Sequence, residues 1–154
     1  MARPWVKGLT MLALLLTLAL ATTVATANGQ NQSAVKANVP FEFIVGDKVL
    51  PAGEYSLSAI GIGHDALAIQ GVNAHDNAVR LVNTTTRSAE KSTKLMFHRY
   101  GNTFFLSEVW TAGDQQGRQL LKSRQERAIE RELSRIAGNR TSKYQEVVIL
   151  ASAR

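Results

Sequence analysis

From Val35 onward apolar residues return at every second position: Val35, Ala37 and Val39, then Phe41, Phe43 and Val45 beyond Pro40, then Tyr55, Leu57 and Ala59. A period of two is the signature of a half-buried strand, because successive side chains point to opposite faces of a pleated backbone. Proline offers no ladder N–H, so Pro40 marks a break or an edge. Gly46-Asp47 is a turn pair, and Leu50-Pro51-Ala52-Gly53 places proline where a type I turn wants it. His64-Asp65 and His75-Asp76 each lead from a turn into a short apolar run, an interval that suits the spacing of strands in sandwiches and barrels.

Farther along, Gly101-Asn102 separates two apolar segments, 94–100 and 103–111. Glycine at the first loop position predicts a type II′ hairpin, which sets Phe97 opposite Leu106 and Arg99 opposite Phe104. It also predicts that Glu108 and Trp110 share a face with Arg99 and Phe104. Residues 83–93 and 112–117 are polar and read as loops. Ser123-Arg124-Gln125-Glu126 is a capping box, and Gly138-Asn139 is a suitable stop, so a helix is predicted over about 123–137. Its apolar stripe is Ile129, Leu133 and Ile136. The apolar run around Val147, Val148 and Ile149 closes the pattern as a last strand. The expected fold is all-β: a small antiparallel barrel or sandwich of about seven strands with one late helix.

The sequence contains no cysteine, which excludes a disulfide framework, a thiol nucleophile and thiolate metal sites. Arg3 and Lys7, the apolar run from Leu9 to Leu20, and Ala25-Thr26-Ala27 match the three parts of an export signal. We therefore expect 1–27 to be a signal peptide cleaved near Ala27, 28–33 to be a flexible leader, and 34–154 to be a single β-rich domain. The apolar run is shorter than the ~20 residues a spanning helix needs, and no later stretch is apolar enough, so no transmembrane segment is expected after cleavage. The location implied is periplasmic or secreted. Without Arg3 and Lys7 the formal charge falls from +6 to +4. Most of that excess lies in 118–140.

Several groups carry possible chemistry. Arg124, Arg127, Arg131 and Arg135 fall on the helix face opposite the apolar stripe, where they can grip an anionic polymer such as lipopolysaccharide, acidic lipid or nucleic acid. The plain alternative is a solvated face with weak pairs such as Arg127 with Glu130 and Glu132 with Arg135. The aromatic hairpin around Tyr100, Phe104 and Trp110 is a second candidate surface. Glu108 interrupts an apolar strand and needs a partner if buried, with Arg99 the nearest on its face. The His-Asp pairs are satisfied by turn roles, and no metal or cofactor is expected. No nucleophile elbow or phosphate-binding loop is present. A carboxylate-dependent hydrolase would draw on Glu42, Glu54 or Glu108.

The string Asn38-Val39-Pro40-Phe41-Glu42-Phe43-Ile44-Val45-Gly46-Asp47-Lys48, with Leu50 to Tyr55, His98-Arg99-Tyr100-Gly101 and Phe105 to Trp110, resembles a group of small secreted proteins of Acidobacteria-like bacteria. The resemblance implies an envelope location and supplies no catalytic residues. The function expected is an exported, non-catalytic binding or structural module whose partner is a cell-envelope component or anionic polymer.

Overall fold

The computed structural model describes residues 34–73, 75–137 and 144–153. The expected signal peptide and leader, and the helix stop at Gly138-Asn139, lie outside them. The elements in chain order are β1 (Val35–Val39), β2 (Phe43–Val45), β3 (Lys48–Leu50), β4 (Gly53–Ile60), β5 (Ala66–Gly71) and β6 (Asn77–Thr86). They continue with β7 (Lys94–Tyr100), β8 (Thr103–Trp110), β9 (Gln116–Leu120), α1 (Arg124–Ala137), β10 (Gln145–Leu150) and β11 (Ser152–Ala153). Among the described residues the fold is therefore all-β with one helix near the C-terminal end.

The 11 strands among the described residues form one hydrogen-bonded sheet in the order β10-β7-β8-β9-β6-β5-β4-β1-β11, with β2 joined to β3 and β8. Every ladder is antiparallel except β2 on β8, where Ile44 faces Phe105. The sheet has two halves. Residues of β6 up to Leu81 pair with β5, and those from Val82 pair with β9, so β6 passes from one half to the other. The C-terminal segment does the same at Ala151, because β10 pairs with β7 while β11 pairs with β1. Strands that change sheets in this way make the corners of a sandwich. The ladder is not a closed barrel: its two edges are carried by successive pieces of one segment.

One apolar core draws on both halves. Val35, Leu57 and Ile69 meet Phe43, Leu95, Phe97, Leu106 and Val109 within it. The alternation read in β1 is realised, with Val35, Ala37 and Val39 buried and Lys36 and Asn38 exposed. Phe97 meets Phe41 and Phe43 edge-on at 5.2 and 5.5 Å between ring centres. Each such ring removes enough apolar surface from water to contribute about 1.5–3 kcal/mol.

More strands exist than the sequence pattern indicated. Asn83 to Thr86, read as the start of a loop, continue β6 and pair with Gln116 to Gln119, part of which was also read as loop. Their polarity hid them, since apart from Val82, Leu120 and Gly117 this ladder buries little, although the three consecutive threonines favour extended backbone. The short β3 pairs with β2 across the Gly46-Asp47 turn, where Gly46 has φ +66°.

The hairpin register is as expected at Phe97↔Leu106 and Arg99↔Phe104, and Gly101 takes φ +61°. Beyond that point the ladder shifts by one residue. Met96 faces Glu108 and Leu95 faces Val109, leaving Ser107 as the extra residue, with its hydroxyl donating to the Met96 carbonyl at 2.8 Å. The bulge reverses the faces. Leu106 and Val109 point into the core, while Glu108 and Trp110 leave the face shared by Arg99 and Phe104, contrary to the sequence reading.

Candidate functional site

Helix α1 begins as its capping residue requires: the Glu126 N–H donates to Ser123 Oγ at 3.0 Å and the Arg127 N–H to the Ser123 carbonyl at 3.1 Å. The Glu126 carboxylate does not return to Ser123 as a full capping box would. It turns onto the sheet, where Oε1 lies 2.7 Å from His98 Nδ1 and 3.2 Å from the Tyr100 hydroxyl. Tyr100 also reaches Glu130 at 2.9 Å, and Glu130 holds Lys122. The Tyr144 ring stacks on His98 at 3.9 Å. This polar seam, together with Ile129 and Leu133 packed on Ile44, Tyr100 and Phe105, fastens the helix over β7 and β8. Ile136, expected to dock with them, is 75% exposed instead.

The outward face of the helix is basic. Arg124, Arg127, Arg131 and Arg135 are all exposed. Among the described residues none of them forms an ion pair, and the weak pairs anticipated with Glu130 and Glu132 are absent. Two of the helix's three acids are occupied inward, Glu126 by His98 and Tyr100, Glu130 by Lys122 and Tyr100. A furrow of about 530 Å³ runs along Arg124, Arg127 and Arg131, with Glu130 and Ser134 in its wall. A second hollow of about 250 Å³ opens at the start of the helix, between Arg80, Leu81, Leu121, Lys122, Arg124 and Arg127, with Asp47 and Ser123 also in its wall.

The aromatic hairpin is not a second surface. Tyr100 is 7% exposed and Trp110 is fully buried. Phe104 is half-buried, stacked on Phe41 at 4.0 Å with the Arg99 guanidinium 5.5 Å from its ring centre. The expected Arg99–Glu108 pair is replaced as well. Glu108 accepts from Arg87 at 3.1 Å through one oxygen and from Trp110 Nε1 at 2.8 Å through the other, while Arg99 donates to the Gly101 carbonyl. The Ser107 bulge explains the exchange, because it turns Glu108 away from Arg99. Arg87, placed in a presumed loop by its polar surroundings, carried no sequence signal for this role.

The described residues hold no group of three or more His, Asp and Glu placed to bind a metal, and His64 sits in its turn with φ +54°. A groove of about 470 Å³ away from the helix crosses the outer faces of β1, β4 and β5 and includes one carboxylate, Glu54. Among the described residues no helix is long and apolar enough to cross a membrane. Comparison with protein-family models, curated proteins and solved structures gives no match.

Proposed function

We propose that this protein is a non-catalytic binding module, exported from the cytoplasm, that holds a phosphate-bearing anionic partner on the arginine face of α1. The observation that carries the reading is the absence of carboxylate partners around Arg124, Arg127, Arg131 and Arg135 among the described residues. Like charges three or four positions apart on a helix disfavour it by about 0.2–0.5 kcal/mol per pair, and this face repeats that arrangement along its length. Arg124 and Arg127 also add positive charge at the helix end that already carries a positive partial charge. An anion laid along the face relieves both penalties. Guanidinium groups suit it, since their planar fork binds phosphate through two parallel hydrogen bonds.

The test is retention on immobilised heparin. Retention that falls steeply with salt, and is lost when all four arginines are changed to glutamine, supports the reading. Retention unchanged in that variant contradicts it. Export is checked separately by sequencing the N-terminus of protein recovered outside the cytoplasm, which the signal pattern expects to begin near Asn28.

A further inference from the structure

The hollow at the start of α1 combines two kinds of surface that a soluble polyanion would use unequally. Leu81, on the outward face of β6, is 64% exposed, and Leu121, just past β9, is 58% exposed. Both line the same hollow as Arg80, Lys122, Arg124 and Arg127, and its one carboxylate, Asp47, is paired with Arg80. The turn that carries the fully exposed Ile62 is tied to the same stretch of β6, since the Val82 N–H donates to the Asp65 carbonyl at 2.8 Å. Arg80 and Lys122 are answered by Asp47 and Glu130, whereas Arg124 and Arg127 have no carboxylate partner among the described residues.

We infer that this end of the molecule docks on a bilayer surface rich in acidic phospholipid, with Leu81 and Leu121 entering the headgroup boundary and Arg124 and Arg127 pairing with the lipid phosphates. The inference rests on the anion-binding reading above and narrows its ligand. Positive charge around exposed aliphatic side chains is the chemistry of interfacial binding: the cations are attracted to the negative leaflet, and the leucines leave water once contact is made. A soluble polymer such as nucleic acid answers the arginines but leaves the leucines in water. Val148 in β10 offers an internal control, because it is 47% exposed and does not line the hollow.

The experiment measures co-sedimentation of the exported, purified protein with phosphatidylcholine vesicles, with and without phosphatidylglycerol, beside heparin retention of the same samples. Parent protein is expected to bind only the phosphatidylglycerol vesicles. Leu81→Ser with Leu121→Ser should weaken that binding about tenfold while leaving the heparin elution salt unchanged. Arg124→Gln with Arg127→Gln should weaken both, by about fivefold per charge on vesicles. Val148→Ser should change neither, and unchanged thermal unfolding certifies the fold of each variant. Vesicle binding unaffected by the leucine changes overturns the inference. Heparin retention without any vesicle binding also overturns it, assigning a soluble polyanion and leaving the broader reading standing. Loss of both activities in the parent protein removes the two together.

Discussion

His98 Nδ1 lies 2.7 Å from Glu126 Oε1 in the seam between β7 and α1, with His98 9% and Glu126 4% exposed. Helix α1 offers the sheet little besides Ile129 and Leu133, so its attachment depends heavily on this polar contact. Removing one partner leaves the other buried without an answer. Glu126→Ala is expected to cost about 1–3 kcal/mol in denaturant unfolding, measured by circular dichroism, as for a buried group that loses its hydrogen-bond partner. A loss below about 1 kcal/mol, the range of an ordinary surface pair, would contradict this account of the seam.

Alkaline stability should depend on Tyr100. Burial first, then its hydrogen bond to Glu130 and the nearby negative charge of Glu126, hold its phenol protonated well above the usual tyrosine range. Burial and Asp76 act in the same direction on Tyr55. The folded protein keeps protons that the unfolded chain releases near pH 10, so this stability is whole below about pH 10 and is lost as pH rises. Tyr100→Phe takes one proton out of the balance. Above pH 10 its unfolding free energy should fall less steeply than the parent's, by about 1.4 kcal/mol per pH unit. Parallel curves for the two proteins would refute the assignment.

Glu108 distinguishes two arginines. Arg87 donates to it, whereas Arg99 packs on Phe104 and donates to the Gly101 carbonyl. Arg87→Gln weakens the charge facing a buried carboxylate and should cost about 1–2 kcal/mol, reduced from a fully buried pair because Arg87 is partly exposed. Arg99→Gln should stay within about 0.5 kcal/mol. Equal effects in thermal unfolding would mean that the Ser107 bulge does not set the pairing.

Gly117 lies under the Trp110 indole, and a Cβ placed on it would come within 2.5 Å of the ring. The indole, which is fully buried and bonded to Glu108, has little room to yield. Gly117→Ala should cost about 1–3 kcal/mol, with a change in tryptophan emission as the ring is displaced. Full retention of stability and emission would show that the strand relaxes freely.

The sequence disclosed the parts of this fold whose two faces differ. β1 alternates because one side meets the core, and the Gly101 turn fixes the start of the β7–β8 register. It did not disclose the outer part of β6 or most of β9, where polar residues on both faces remove the alternation. Nor did it place Tyr100 and Trp110, which resemble an exposed aromatic patch until α1 covers the first and Arg87 with Gly117 encloses the second. The Ser107 bulge has no compositional mark, and one inserted residue was enough to change the partner of Glu108. Of the candidate site, the four helix arginines were legible because helical spacing alone puts them on one side. The inward engagement of Glu126 and Glu130, which leaves those arginines without partners among the described residues, depends on contacts with β7 that no local pattern encodes.

The most direct measurement is the salt dependence of binding to a phosphate polymer, comparing the parent protein with the variant in which Arg124, Arg127, Arg131 and Arg135 are glutamine. Each phosphate contact contributes about −0.7 to −0.9 to the slope of log affinity against log salt, so the parent should show a slope near −3 and the variant a slope near zero. Equal slopes for the two proteins would contradict the assignment of this helix face as the binding surface.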